Sequence, residues 1–229
     1  VKIQLMIPAA GMGLRLTHNR PKALVDLAGA ALLVHTLNRF MPLGLVAGAV
    51  IVVPPGHEKA FEACLDTAFP GTPLTFAHGG PKRQVSVAKG LEQLAHDTDI
   101  VVIHDAARPF VPQSAIEASC EAAAECGAAT VAIPCSDTIL EADSENYLEA
   151  TPARQWLWAC QTPQTFRVSV IRKAHETARR EGFAETDDAS IVRRAGGRVK
   201  LVMGSPLNFK VTTPADLALA ESMIERGLV

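Results

Sequence analysis

Five apolar runs, residues 3–7, 49–53, 74–77, 100–104 and 128–133, punctuate the chain with almost no polar alternation. A strand with one wet face alternates apolar and polar residues. A strand covered on both faces reads as a continuous apolar stretch, so these runs predict buried strands of a mainly parallel sheet. Between them apolar positions recur at helical spacing over residues 31–40 (Leu33, Leu37 and Phe40 on one face), 58–69, 82–94 and 113–126. Strands alternating with helices predict a Rossmann-like, doubly wound α/β arrangement. Ligands of such sheets bind beyond the carboxyl ends of the strands. The loops at residues 9–22, 78–83 and 105–109 all emerge at that edge.

The pattern changes after Pro134. Residues 135–140 and 147–151 predict two short strands around the polar turn Asp143-Ser144-Glu145-Asn146. Such a hairpin projects from the sheet as a β-arm. Helices follow at 168–180 and 187–195, then a strand at 198–203. Thr213-Pro214 marks the start of a last helix, with Thr213 as N-cap and Pro214 at the first helical position. With no repeat and no low-complexity tract, the chain reads as one domain, residues 1–229, with an inserted arm at about 135–155.

Charge narrows the function. With 22 Lys and Arg against 24 Asp and Glu, the net charge of −2 provides no global basic field for nucleic acid. The longest apolar stretch, residues 43–53, carries two glycines and falls short of the ~20 residues a membrane span needs. Five scattered cysteines (Cys64, Cys120, Cys126, Cys135, Cys160) contain no CxxC pair, which argues against zinc and a disulfide framework and for a reducing cytoplasm. His18, His35, His57, His78 and His175 show no metal-ligand or triad spacing.

The first apolar run ends at Pro8 and opens into Ala9-Ala10-Gly11-Met12-Gly13, followed by Arg15 and Lys22. Small residues after a strand let backbone N–H groups approach phosphate oxygens, and cations beyond them can neutralise charge on a phosphoryl group in transfer. Neither GxxxxGK[ST] nor GxGxxG is satisfied, and position 16 is leucine. A lone GxG is common in ordinary β–α turns; the spacing of Arg15 and Lys22 favours phosphate handling. Gly79-Gly80-Pro81-Lys82-Arg83-Gln84-Val85-Ser86 enters a helix, whose N-terminus can bind an anion; the alternative is a plain turn. Asp105 and Ala106, in His104-Asp105-Ala106-Ala107-Arg108-Pro109, end a buried strand, where an acid needs a partner such as a metal, a ribose or Arg108. Thr186-Asp187-Asp188-Ala189 reads as a helix start. Lys210 and Arg154 stand alone and gain weight only from agreement with the rest.

Taken in order, these segments resemble the 2-C-methyl-D-erythritol 4-phosphate cytidylyltransferase family, whose members read PAAGxGxR…PK, GGxxRxxS, HDAARP, DT, TPQ, TD[DE]A and KVTxPxDL. The chain carries Pro8 to Arg15, Pro21-Lys22, Gly79-Gly80 with Arg83 and Ser86, and residues 104–109. Asp137-Thr138, Thr162-Pro163-Gln164, residues 186–189 and Lys210-Val211-Thr212 complete the set. One departure is Pro81, where many members carry an acid; Ala153, before Arg154, is another.

The resemblance implies a nucleotide-diphospho-sugar transferase type of fold and transfer of CMP from CTP to a polyol phosphate in isoprenoid-precursor synthesis, with pyrophosphate released. It implies that Arg15 and Lys22 stabilise the transition state, and that Arg154 and Lys210 position the acceptor phosphate. Ala9, Ala10, Gly11, Gly13, Gly79, Gly80, Arg83, Ser86, Asp105 and Ala106 would hold the nucleotide. Arg108, Thr138, Arg154, Thr162, Thr186 and Lys210 would line the acceptor pocket. Magnesium would accompany CTP near Asp105, and the arms of a homodimer would cross. The alternatives are a ribitol 5-phosphate cytidylyltransferase, which differs in its acceptor pocket, and a non-catalytic nucleotide-binding relative.

Overall fold

The computed structural model describes residues 1–13, 16 and 20–229. Its strands are β1 (Ile3–Pro8), β2 (Asp26–Leu27), β3 (Ala30–Ala31), β4 (Ala49–Val53), β5 (Leu74–His78), β6 (Ile100–Ile103), β7 (Ala128–Pro134), β8 (Glu141–Ala142), β9 (Leu148–Ala150), β10 (Trp158–Arg167) and β11 (Lys200–Met203). The α-helices are α1 (Leu32–Leu37), α2 (Glu58–Ala68), α3 (Arg83–Glu92), α4 (Gln113–Cys126), α5 (Val168–Glu181), α6 (Asp188–Arg194) and α7 (Pro214–Glu225).

Seven strands form one sheet in the order β11-β7-β10-β6-β1-β4-β5. β1 lies between β4 and β6 and is parallel to both, with Leu5 opposite Ala49 and Val102. The chain builds outward from β1 through β4 to β5, then crosses to the other side at β6. This reversal opens a crevice at the strand ends, where ligands of doubly wound sheets sit.

The unbroken apolar runs have a direct cause. Successive side chains of a strand point to opposite faces, and here both faces are covered. Leu5, Ile7, Ile51, Val53 and Val102 pack with Leu33, Leu37, Phe61, Leu65 and Ile116 from α1, α2 and α4. Met6, Val50, Val52, Val101 and Ile103 pack with Val87, Leu91, Ile171, Ile191 and Val192 from α3, α5 and α6. Burying each such side chain contributes roughly 1.5–3 kcal/mol. Helix α3 lies especially close: a Cβ at Gly90 would come within 2.8 Å of Met6 Sδ and 2.9 Å of Val52 Cγ2. That seating holds the α3 N-terminus, with Arg83, at the crevice.

The expected strands and helices form, with four differences. Residues 158–167 form the ten-residue antiparallel strand β10 between β6 and β7, where no strand was expected. Its inner positions are polar yet buried: Gln161, Thr162, Gln164 and Thr165 are each at most 5% exposed, so no apolar run betrays them. The arm hairpin pairs Glu141 with Ala150 and Ala142 with Leu148, while residues 135–140 are not a strand. The cause is the turn: Asp143 Oδ1 accepts from the N–H groups of Glu145 and Tyr147, both at 2.9 Å, and pairing begins immediately outside it. The small β2–β3 hairpin was also unforeseen. The 31–40 helix, finally, is shorter than its apolar spacing suggests, ending at Leu37. The Thr213 cap does form, as a capping box with Asp216. No helix among the described residues is long and apolar enough to cross a membrane.

Candidate active site

The three loops expected at the carboxyl edge meet around a cavity of about 350 Å³. Ala9, Ala10, Gly11 and Gly13 form one wall with Lys22; Gly80 to Arg83 and Ser86 form another; Asp105, Ala106 and Ala107 form the floor, flanked by Lys210 and Thr212.

Backbone bonds set these loops. Ala9 N–H donates to Val52 O at 2.8 Å, Gly79 N–H to Val53 O at 2.8 Å, and Lys22 N–H to Gly11 O at 3.1 Å. A side chain at Gly79 would collide with the Ala10 methyl, so glycine there lets the first two loops touch. The Ser86 hydroxyl accepts from Gly80 N–H at 3.0 Å and lies 3.2 Å from Lys82 O, to which it can donate. Ser86 therefore shapes the Gly80–Lys82 turn, besides facing the cavity.

Asp105 is the electrostatic centre. Its Oδ2 lies 2.8 Å from Lys210 Nζ and 3.6 Å from Arg108 Nε, and its Oδ1 lies 3.5 Å from Arg83 Nε. Burial raises the carboxyl's pKa, but Arg83, Lys210 and Arg108 outweigh it and hold the group well below the usual carboxylate range. Arg83 also reaches Asp188 through Nη1 at 2.6 Å. Burial disfavours its charge, and Asp188 with Asp105 more than reverses that, keeping the guanidinium charged.

Behind the floor, Thr162 Oγ1 accepts from Asp105 N–H at 3.1 Å and lies 2.9 Å from His104 Nδ1. His104 Nε2 lies 2.9 Å from Arg108 O, a pure acceptor, so Nε2 carries the proton. Complete burial pushes the His104 pKa down to about 4, leaving the ring neutral near pH 7. Nδ1 is then an acceptor, and Thr162 donates to it. Arg108 spans the same region through Nη1 to Asn208 O at 2.7 Å.

Of the residues singled out in the sequence, Ala9, Ala10, Gly11, Gly13, Lys22, Gly80, Arg83, Ser86, Asp105, Ala106 and Lys210 line the cavity, and Gly79 supports it. Arg15 lies outside the described residues. Arg108 and Thr162 stand behind the floor rather than on the cavity wall. Thr186 is exposed at the start of α6. Thr138 and Arg154 belong to the exposed arm, where Arg154 Nη1 donates to Ser136 O at 2.8 Å, and neither lines the cavity. Gln164, Asp188 and Thr212 stand in the motifs quoted from the sequence but were given no role at the site there. Gln164 Oε1 accepts the N–H groups of Asp188 and Ala189, and its Nε2 donates to Asp187, tying β10 to α6. Asp187 is the α6 N-cap, as an acid at a helix start suggests, whereas Asp188 turns inward to Arg83.

Among the described residues no three His, Cys, Asp or Glu side chains cluster as a metal site. Asp105 is the carboxylate on the cavity wall.

The profile of the 2-C-methyl-D-erythritol 4-phosphate cytidylyltransferase family matches residues 3–226. Relatives with that name include one from Desulforamulus reducens, 40% identical over 98% of this chain and 96% of its own. Another, from Deinococcus radiodurans, is 44% identical over 95% of this chain and 88% of its own. The crystal structure of the Thermus thermophilus cytidylyltransferase superposes with a TM-score of 0.81 at 36% identity, covering 98% of this chain and 100% of that one. The 4-diphosphocytidyl-2C-methyl-D-erythritol synthase of Anaerococcus prevotii superposes with a TM-score of 0.87 at 26% identity, covering 98% and 99%. A match of this extent, over a cavity built from the same ordered segments, makes the chain a member of the 2-C-methyl-D-erythritol 4-phosphate cytidylyltransferase family, a nucleotidyltransferase.

Proposed function

We propose that this cavity transfers CMP from CTP to the phosphate of 2-C-methyl-D-erythritol 4-phosphate. The observation that carries the reading is the convergence of Lys22, Arg83 and Lys210 with two small-residue loops on one crevice, around the carboxylate of Asp105. An oxygen of the acceptor phosphate attacks the α-phosphorus of CTP and forms the new P–O bond. The bond from that phosphorus to the bridging oxygen breaks, and pyrophosphate leaves with its electron pair. A phosphate monoester has a second pKa near ~6 and is mostly dianionic at neutral pH, so no general base is required. The nearby histidine agrees: His104 is sealed, neutral and committed to Thr162 and Arg108. Positioning and electrostatic stabilisation then supply the acceleration.

In this reading the backbone of Ala9 to Gly13 and of Gly79 to Gly80 cradles the nucleotide, with Arg83 and Ser86 behind it. Lys22, with Arg15 before it in the sequence, acts on charge that grows in the transition state. Lys210 meets the acceptor phosphate. Magnesium would be held here by Asp105 together with the triphosphate, since this hard cation is bound through few protein carboxylates and substrate phosphates. Asp105 offers Oδ1, which Arg83 approaches only to 3.5 Å. When bound, magnesium supplies charge neutralisation on the triphosphate; the chain's cations supply it at the reacting phosphorus.

The arm is the proposed dimer contact. Leu140, Tyr147, Leu148 and Trp156 are 61–78% exposed on it, an apolar concentration of the kind that marks an interaction surface. Thr138 and Arg154 sit on the same arm and would serve the acceptor pocket of the neighbouring subunit. Five free thiols agree with a reducing, cytoplasmic setting. The ribitol 5-phosphate reading is the lesser one, because the relatives above carry the methylerythritol name.

The test is Lys22→Ala with CTP and 2-C-methyl-D-erythritol 4-phosphate. A cation that acts in the transition state lowers kcat far more than it weakens CTP binding. Equal losses in both would refute that role.

A further inference from the structure

Among the described residues four buried side-chain atoms have no hydrogen-bond partner, Arg108 Nε, Asn208 Oδ1, His175 Nε2 on α5 and Asp188 Oδ1 at the start of α6, and the last two form a pair. They face each other at 3.4 Å. The Asp188 side chain is fully buried and that of His175 is 8% exposed, so water gives neither an easy alternative. Buried polar atoms left unpaired are unfavourable and rare. A small rotation of the imidazole makes one good hydrogen bond from the pair.

Asp188 commits its other oxygen, Oδ2, to Arg83 at 2.6 Å. Arg83 continues to Asp105 at 3.5 Å, and Asp105 to Lys210 at 2.8 Å. Gln164 holds the Asp188 backbone from the remaining side. The line from His175 to Lys210 thus runs from α5 past the start of α6 to the cavity.

We propose that His175 is a positioning residue for the nucleotide site. Its Nε2–H donates to Asp188 Oδ1, fixes the carboxylate's orientation, and so holds the Arg83 guanidinium on the cavity wall. His175 touches no substrate in this arrangement; it acts through Asp188. The proposal rests on the nucleotide role given to Arg83 above.

The experiment measures steady-state kinetics of full-length His175→Leu, His175→Gln and Arg83→Gln with CTP and 2-C-methyl-D-erythritol 4-phosphate. Thermal unfolding confirms that each is folded. Losing a hydrogen bond to a charged group predicts a rise of about tenfold in KM for CTP in His175→Leu. Its kcat and the acceptor KM stay within about twofold, since the reacting cations are untouched. His175→Gln, which keeps an N–H donor close to the Nε2 position, restores the wild-type KM. A folded His175→Leu with an unchanged KM for CTP overturns the proposal, as does a loss that His175→Gln shares in full. Should Arg83→Gln leave KM for CTP unchanged, the nucleotide role of Arg83 falls instead, and the two failures are told apart. If His175→Leu does not fold, imidazole nitrogen NMR of the wild type decides, with His175→Gln used for assignment. A proton on Nε2 of His175 whose resonance shifts when CTP is added supports the link; an unprotonated Nε2, or no shift with CTP, overturns it.

Discussion

Lys210 Nζ lies 2.8 Å from Asp105 Oδ2, joining the loop that follows β6 to the segment that precedes α7. Neither residue is close to the other in sequence, and Val211 N–H, donating to Ala107 O at 2.9 Å, clamps the two segments together next to them. A partly exposed lysine is thereby aimed at the crevice instead of at bulk water.

Replacing Lys210 by alanine is expected to lower kcat/KM for the acceptor about 10²-fold, because the acceptor phosphate loses the cation that positions it. Equilibrium binding of CTP, followed by calorimetry, changes far less. Asp105, whose side chain is 12% exposed, loses its shortest ion pair but keeps Arg83 and Arg108 as cationic neighbours.

Gly79→Ala places a methyl group against Ala10 Cβ and close to Ser86 Oγ. The two nucleotide loops must part to admit it. Overpacking of this kind destabilises by about 1–3 kcal/mol. Urea unfolding and a CTP titration on the same variant test this: both midpoint and affinity fall.

His104 links stability to pH. Its folded pKa of about 4 lies below the ordinary histidine value, because the ring is buried. Between about pH 6.5 and 4 the unfolded chain takes up a proton that the folded protein does not. Folding stability is therefore lost as pH falls through that window, by up to about 3 kcal/mol, and is fully present above it. Asp105, held lower by its cations, titrates beneath the window. Denaturant unfolding at pH 7 and pH 4.5 measures the slope, and His104→Asn flattens it.

The arm carries its own prediction. Changing Leu148 and Trp156 together to glutamate and serine removes two of its most exposed apolar side chains. If the proposed dimer forms through the arm, sedimentation shows it becoming a monomer, with CTP binding retained and turnover reduced because the proposed reach of Thr138 and Arg154 to a neighbour is lost. A monomeric wild type would remove the arm's proposed role.

Legibility in the sequence followed the physics of each element. Neighbours such as Ile51 and Val52 are both apolar because a helix layer covers each face of the sheet, and that demand leaves a continuous run visible in one dimension. β10 obeys a different demand. Gln161 and Gln164 are buried to hold other segments, Asn208 and the α6 N-terminus respectively, so their polarity hides a central strand. At the site, Gly79 and Lys210 were readable because they belong to ordered motifs. Asp188 stands in such a motif too, but its role was hidden, since an acid at a helix start looks like a cap until its neighbour Asp187 is seen to fill that place. His175 has no local pattern at all, and only the packing of α5 against α6 brings it to Asp188.

The most direct test of the central claim is pyrophosphate release with CTP and magnesium, comparing 2-C-methyl-D-erythritol 4-phosphate with ribitol 5-phosphate as acceptor. The account predicts strong turnover with the first and little with the second. Preference for ribitol 5-phosphate, or binding of CTP with no turnover on either acceptor, would contradict it.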